Sequence, residues 1–366
     1  MAADPDLLAR IAREGPLDLA TVLAEAGGGA GYYARAEVLG TAGDFVTAPE
    51  ISQVFGELLG LALVDAWQRQ GAPAPCVLAE LGPGSGALVA DLWRAVGVMP
   101  AFREAVRLHL VERSQRLRRR QERALAAAPK PHFVDDVAAL PGGPLFVVAN
   151  EFLDALPAHQ LVHRGDGWRE RRVGLDDAGR PVWVEVPAPA ALTAEASRRF
   201  AAAKEGAIAE IAPARRAVVA RLAERIAAEG GLALVVDYGG IARAPVDTLQ
   251  AVRRHARVDP LAHLGTADLT IAVDFAPLIE AGRAAGCAVF GPVPQATFLR
   301  ELGIELRAVA LARRQRGEAR EAIMAGVHRL VDPRTMGEAF KAFALAPPGA
   351  PAPAGFALAA DGGGSP

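Results

Sequence analysis

The sequence predicts an α/β protein with a helical N-terminal region and an antiparallel β/helical subdomain inserted into an otherwise parallel sheet. Three observations predict it. From residue 76 onward, short apolar runs alternate with amphipathic stretches, the pattern of βαβ units. A glycine-rich turn, Gly82-Pro83-Gly84-Ser85-Gly86, joins the first of those runs to the helix after it. Between residues 158 and 190, paired turn signals interrupt the alternation.

Along the chain, Leu7, Leu8 and Ile11, then Leu19, Val22 and Leu23, recur at helical spacing until Ala26-Gly27-Gly28-Gly29-Ala30-Gly31 breaks the pattern. A polar loop follows through Gly43-Asp44. Pro49-Glu50 then opens a long amphipathic helix carrying Ile51, Val54, Phe55, Leu58 and Leu59, because proline and an acid suit a first turn. Cys76–Leu81 reads as a buried strand and Ala87–Ala95 as a helix. Leu108–Val111 is the second strand, trailed by an arginine-rich helix through Arg123. Phe133-Val134, Leu145–Ala149 and Leu232–Val236 complete a parallel set with right-handed crossovers. Gly165-Asp166-Gly167 and Asp176-Asp177-Ala178-Gly179 flank Trp168–Leu175 and Pro181–Val186, an antiparallel excursion, and a helical stretch over 192–229 returns to the sheet. The chain thus divides into an N-terminal helical cap or lid (1–75), a first half-core (76–157), an inserted substrate-side subdomain (158–230) and a second half-core (231–345). A low-complexity tail (346–366) is expected to be disordered.

Composition narrows the function classes. A net charge of −2 gives no general attraction to nucleic acid or anionic lipid. Lysine occurs only at Lys130, Lys204 and Lys341, so the positive charge is nearly all arginine; with the abundant alanine this points to a GC-rich bacterial genome. Cys76 and Cys287 make neither a disulfide framework nor a metal-ligand spacing, and the histidines show no metal pattern. The first residues, Met1-Ala2-Ala3-Asp4-Pro5-Asp6, lack a secretory signal's basic and apolar regions. No stretch approaches the roughly 20 apolar residues of a membrane span. These readings predict a soluble, cytoplasmic protein without a metal.

The chemistry concentrates at Cys76-Val77-Leu78-Ala79-Glu80-Leu81-Gly82-Pro83-Gly84-Ser85-Gly86-Ala87-Leu88. Glycines let the backbone turn sharply and approach a ligand closely. Free N–H groups at the following helix N-terminus attract an anionic group, a pyrophosphate in a dinucleotide or the methionyl carboxylate in S-adenosylmethionine. The segment satisfies Gly-x-Gly-x-Gly and, with Ala87 last, the dinucleotide pattern as well. Glu80 before the loop and the rigid Pro83 within it favour S-adenosylmethionine, as does the distance from Gly84 to Glu112, longer than the roughly 20 residues of the dinucleotide fingerprint. Glu112, ending the second strand, is placed for the ribose hydroxyls. Asp135-Asp136, after the third strand, is placed for the adenine amine. The fourth strand runs into Asn150-Glu151-Phe152-Leu153-Asp154, and side chains beyond a parallel strand's carboxyl end face the ligand crevice. Arg116–Arg123 reads as a solvated helix face with Leu117 and Leu125 buried, and His255 and His263 as loop hydrogen-bonders. Asp237-Tyr238-Gly239-Gly240 suits either a structural turn or a cleft rim.

A longer pattern adds to this. Gly43-Asp44-Phe45-Val46-Thr47-Ala48-Pro49-Glu50-Ile51-Ser52-Gln53-Val54-Phe55-Gly56-Glu57 resembles the signature of the MidA-like methyltransferases, bacterial and mitochondrial relatives of a respiratory complex I assembly factor that methylates arginine. Glu80–Gly86, Leu110-Val111-Glu112, Asn150–Pro157, Val236-Asp237-Tyr238-Gly239, Asp247-Thr248-Leu249-Gln250, Ala267-Asp268-Leu269-Thr270, Val273-Asp274-Phe275 and Met336-Gly337-Glu338-Ala339-Phe340-Lys341 match in the same order, from about residue 5 to 345. The chain departs from the family pattern at Ser85, where arginine is common, and at Ala339 and Ala342. The resemblance implies a Rossmann-like class I methyltransferase sheet and S-adenosyl-L-methionine as cofactor, held by Glu80, Gly82, Pro83, Gly84, Gly86, Glu112, Asp135, Asp136 and Asn150. It implies a protein substrate, a quinone-proximal complex I subunit, methylated on arginine. Glu151 and Asp154, with Asp44, are then the candidate catalytic carboxylates, and Phe45, Thr47, Pro49 and Glu50 belong to the substrate-side lid. A small-molecule methyltransferase, a nicotinamide-linked oxidoreductase and a non-enzymatic assembly factor remain as alternatives.

Overall fold

The computed structural model describes residues 3–27, 47–253 and 256–357. The chain forms two compact units. One comprises Val46–Leu153, Val218–Gly240 and Pro277–Pro366; the other comprises Met1–Phe45, Asp154–Ala217 and Ile241–Ala276, each within the described residues.

The larger unit is built on a sheet whose strands, numbered within it, are β1 (Cys76–Leu81), β2 (Val106–Val111), β3 (His132–Val134), β4 (Leu145–Asn150), β5 (Gly231–Gly240), β6 (Ala288–Pro294) and β7 (Phe340–Ala346). Their order is β6-β7-β5-β4-β1-β2-β3. β3, β2, β1, β4 and β5 run parallel, and β7 lies antiparallel between β5 and β6. Every residue of β1 and β4 is buried, as in strands covered on both faces, and their continuous apolar character made them readable in advance. Chain order reverses between β1 and β4. That is the topological switch point, where an open α/β sheet leaves a crevice beyond its strand ends. Register levels those ends, with Leu81 beside Ala149 and Val111, and Asn150 beside Val236.

Four helices of this unit bear on the site: α1 (Ala48–Ile51), α2 (Gln53–Arg69), α3 (Ala87–Ala95) and α4 (Gln115–Ala124). The long helix expected from Pro49 is two. Ser52 is extended, and its hydroxyl accepts from the Val54 N–H, so it caps α2 instead of continuing α1. Gly56 and Gly60 let α2 lie close to α3; a Cβ on Gly56 would sit 2.9 Å from the Leu88 carbonyl oxygen, and one on Gly60 would sit 2.9 Å from Leu92 Cγ. Cys76 and Cys287 are buried free thiols, and burial pushes the Cys76 thiol up to about 11. The chain after residue 346 differs from the expected disordered tail through Ala357. Phe356 is fully buried, with its ring centroid 5.2 Å from that of Phe298, and one such aromatic anchors a stretch that composition alone marks as loose. Residues 358–366 lie outside the described residues.

The other unit carries the expected antiparallel excursion. Gly167–Leu175 pairs with His159–Arg164 and with Pro181–Pro187. The second hairpin is tied by the Asp176 carboxylate, which accepts from Ala178 and Arg180 N–H groups. The helical stretch expected over 192–229 is interrupted. Ile208–Ile211 is a strand paired with His159–Val162, and helices occupy Ala190–Arg199 and Pro213–Glu229. Leu17–Asp18 extends the same sheet, and Gln250–Arg253 forms a second, smaller sheet with Ala256–Val258 and Asp268–Thr270. This unit therefore gathers three separate segments, where the sequence suggested one insertion at 158–230. Among the described residues no helix is long and apolar enough to cross a membrane.

Candidate cofactor and methyl-transfer site

The glycine loop leaves β1 at the switch point. Gly82 has φ +62° and Gly86 φ +85°, left-handed conformations that favour glycine. At Gly82 a Cβ would also lie 2.8 Å from the Phe152 ring. Gly86 is the N-cap of α3 and supplies no side-chain cap; the Glu80 carboxyl takes the Val89 N–H, and the N–H groups ahead of it suit an anionic group.

Acidic and amide side chains surround this turn. Glu80 is buried in β1; its carboxyl accepts from the Val89 N–H while Oε2 is buried with no hydrogen-bond partner. Burial pushes its pKa up to about 8. Glu112 follows β2. Its Oε1 accepts from the Ser114 N–H at 2.7 Å and its Oε2 from Gln121 Nε2 at 3.2 Å. Burial raises the Glu112 carboxyl, against the pull of those donors. Arg118 Nε donates to the Glu112 carbonyl at 2.7 Å, and Arg118 Nη2 reaches Asp135 Oδ1 at 2.6 Å, so Asp135 is coupled to the Glu112 turn. Asp136 is engaged in local structure. It accepts from the Ala138 N–H at 2.8 Å, capping the short helix Val137–Ala139, and pairs loosely with Arg113.

At the end of β4, Asn150 is buried, donates from Nδ2 to Glu151 Oε1 at 3.2 Å, and leaves Oδ1 without a partner. Glu151 has φ +49°, a conformation that costs a side-chain-bearing residue on the order of 1–3 kcal/mol. Its Oε1 also accepts from the Ala48 N–H at 3.1 Å, in the first turn of α1. The signature segment thus meets the β4 loop through Glu151. Within that segment Thr47 is the N-cap of α1 without a side-chain cap bond, Pro49 stands in the first turn, and Glu50 Oε2 is buried without a partner. Asp44 and Phe45 lie outside the described residues.

Two anchoring residues were not assigned from sequence. Asp237, fully buried within β5, accepts from Phe152 and Leu153 N–H groups at 3.2 and 2.8 Å, and from the Tyr238 N–H at 3.0 Å. This resolves the open reading of the Asp237 loop toward structure: the carboxylate clamps the turn that displays Glu151. Gln121 was hidden inside a helix that reads as a charged face, although its own lack of charge was the available signal. Leu125 of that stretch is buried as expected, and Leu117 is half-buried.

Asp154 belongs to the other unit. The carbonyls of Asp154 and Leu156 accept from the buried Arg215, which also donates to the Ile271 and Ala272 carbonyls. Burial raises the Asp154 carboxyl, and the Arg215 charge pulls it back.

This donor set fits S-adenosyl-L-methionine. The open helix end after the glycines suits a carboxylate, the unpartnered Glu80 Oε2 and Asn150 Oδ1 are acceptors suited to an ammonium or amine, and Glu112 is an acceptor for a diol. Sheet, switch point and loop together define a Rossmann-like methyltransferase. Residues 58–293 match the family of S-adenosyl-L-methionine-dependent methyltransferases, and the chain belongs to that family. It is 36% identical to the mitochondrial protein arginine methyltransferase NDUFAF7 of Rattus norvegicus, over 93% of this chain and 83% of the relative. It is 34% identical to the Homo sapiens protein of that name, over 93% and 82%. A crystal structure from Burkholderia thailandensis, bound to S-adenosyl-homocysteine, superimposes with a TM-score of 0.81 at 28% identity, covering 98% of both chains. The nicotinamide alternative is thereby set aside, and the cofactor is S-adenosyl-L-methionine.

Proposed function

We propose that the methyl acceptor is an arginine side chain of a protein, with Glu151 and Asp154 as the carboxylates that hold its guanidinium. The observation that carries this reading is Glu151 itself: a carboxylate at the switch point, kept in a costly backbone conformation and fixed by Ala48 and Asn150. The arginine methyltransferases among the relatives support the same acceptor.

Bound S-adenosyl-L-methionine supplies a methyl group made electrophilic by its sulfonium. The acceptor nitrogen forms its bond to that carbon as the carbon–sulfur bond breaks, and a nitrogen proton is lost. A guanidinium, with a pKa of about 12.5–13.8, is a poor nucleophile. Carboxylates hydrogen-bonded to its N–H groups align one nitrogen and stabilise the charge. Asp154, with its carboxyl raised by burial, is a stronger proton acceptor than an exposed aspartate. Asp44 is the third candidate catalytic carboxylate, Phe45, Thr47, Pro49 and Glu50 are assigned to the substrate side, and a quinone-proximal subunit of respiratory complex I, methylated in the cytoplasm, is the proposed substrate.

Wild type, Glu151→Gln and Asp154→Asn, incubated with labelled cofactor and lysate from a strain lacking the gene, test the assignment. Wild type should place methyl groups on arginine of a complex I subunit. Both variants should keep binding S-adenosylhomocysteine and lose transfer by at least about a hundredfold. Label on lysine, on a carboxylate or on a small metabolite would refute the arginine acceptor.

A further inference from the structure

The family assignment leaves unexplained a glutamine sealed beneath the cofactor loop. Gln121 has no solvent exposure, yet it sits in a helix of arginines and glutamate. Its Nε2 donates to the Gly84 carbonyl at 2.9 Å and to Glu112 Oε2 at 3.2 Å. Its Cα and Cγ would lie 3.3 and 3.4 Å from a Cβ on Gly86, so α4 backs the glycine turn directly. Both neighbours of the amide are acceptors. The NH2 end must therefore face them, whichever way the group is first drawn. Its Oε1 is buried with no partner, a desolvation cost that an apolar side chain of the same size would not bear.

We infer that Gln121 is a positioning residue for the cofactor, which orients the Glu112 carboxylate toward the ribose hydroxyls and fixes its distance from the glycine loop. One amide spans the two structures that receive different parts of the same ligand, the loop carbonyl at Gly84 and the carboxylate at Glu112. With the two N–H groups of Nε2 so divided, Glu112 Oε2 is held in one rotamer and keeps lone pairs for a hydroxyl donor. A leucine or methionine would fill the space and leave Glu112 free to rotate. A glutamate would set a second carboxylate 3.2 Å from the first. An arginine, common in this helix, does not fit a fully buried position beneath a glycine turn.

The inference rests on Glu112 receiving the ribose, so the test separates the two. Full-length wild type, Gln121→Met, Glu112→Gln and the double variant are titrated calorimetrically with S-adenosylhomocysteine and with its 2′-deoxyribose analogue. Methionine matches glutamine in length and volume and preserves the packing under Gly86. Expected is a roughly tenfold loss of S-adenosylhomocysteine affinity in Gln121→Met, with less than about twofold for the deoxy analogue. The double variant should bind no worse than Glu112→Gln alone. Losses that add in the double variant, or that are equal for both ligands, would overturn the role through Glu112. So would an unchanged Gln121→Met beside a weakened Glu112→Gln. If Glu112→Gln itself does not distinguish the two ligands, the ribose assignment fails and the inference falls with it. Gln121→Asn, which keeps the donor but cannot span both acceptors, is read by the same criteria should the methionine variant fail to fold.

Discussion

A carboxyl group buried without a full set of donors is protonated before it is paired, and Glu80 is such a group. Burial carries it from an ordinary 4.5 to about 8, with only the Val89 N–H pulling the other way. The fold thus accommodates the neutral acid. The contribution of Glu80 to stability is fully present below about pH 4.5 and is lost as pH rises through about 8. Cofactor-free Glu80→Gln should therefore gain thermal stability over wild type progressively between pH 5 and 8, and match it at pH 4.5. If Glu80 meets the cationic amine of the cofactor, binding at pH 7 should also release a proton in wild type and none in the variant. Calorimetry in buffers of differing ionisation enthalpy reads this directly, and equal proton release in both would remove Glu80 from the cofactor site. At this scale Glu80, Glu112 and Asn150 stand out in the sequence as candidates because each lies at or within one residue of a strand's carboxyl end. The sequence offers Asp135-Asp136 for the adenine amine; in the structure the Asp136 carboxylate also caps Val137–Ala139. Asp237 stayed undecided, because which backbone N–H groups a carboxylate meets depends on a loop 84 residues away in the chain.

Elements were legible where one period dominates. β1 and α3 fall at Cys76–Leu81 and Ala87–Ala95, as expected, because a mostly apolar run that follows a proline and ends in a glycine turn admits few alternatives. The break at Ser52 and the strand Ile208–Ile211 were not, since a serine cap inside an apolar helix pattern and a four-residue strand both depend on tertiary pairing. The packing of α2 on α3 is another tertiary fact, and it bears on function because α3 begins at the glycine turn. Gly56→Val would place its Cβ against the Leu88 backbone oxygen, a contact that cannot rotate away. The expected cost is about 1–3 kcal/mol in denaturant unfolding, with weaker S-adenosylhomocysteine binding as the first turn of α3 shifts. Leu61→Ala, on the more exposed side of the same helix, should stay within about 0.5 kcal/mol of wild type. A Gly56→Val protein as stable as wild type would show that the two helices are not held at glycine distance.

Across the whole molecule, the division of labour follows from which segments each unit gathers. Sequence reading placed one insertion after the fourth strand because turn signals are local. The second unit also draws in residues before 46, through pairing of Leu17–Asp18 with Arg172–Val173, and Ile241–Ala276, through Asp247, which accepts from Gln160 and Arg171. The glycine turn, Glu80, Glu112, Gln121 and Asn150 all lie in the unit built from Val46–Leu153, Val218–Gly240 and Pro277–Pro366. A ligand that binds only the folded form stabilises it by about 2.7 kcal/mol at a hundred times its dissociation constant, and that gain falls on the segments that must open to release it. Hydrogen exchange followed by mass spectrometry, with and without S-adenosylhomocysteine at that excess, should then slow most in peptides covering residues 80–90, 110–121 and 147–153. Peptides over Pro181–Pro187, the strand at the edge of the other unit's sheet, should change little. Protection centred on 159–187 would place the cofactor on the wrong unit and overturn the reading of the glycine turn as its cradle.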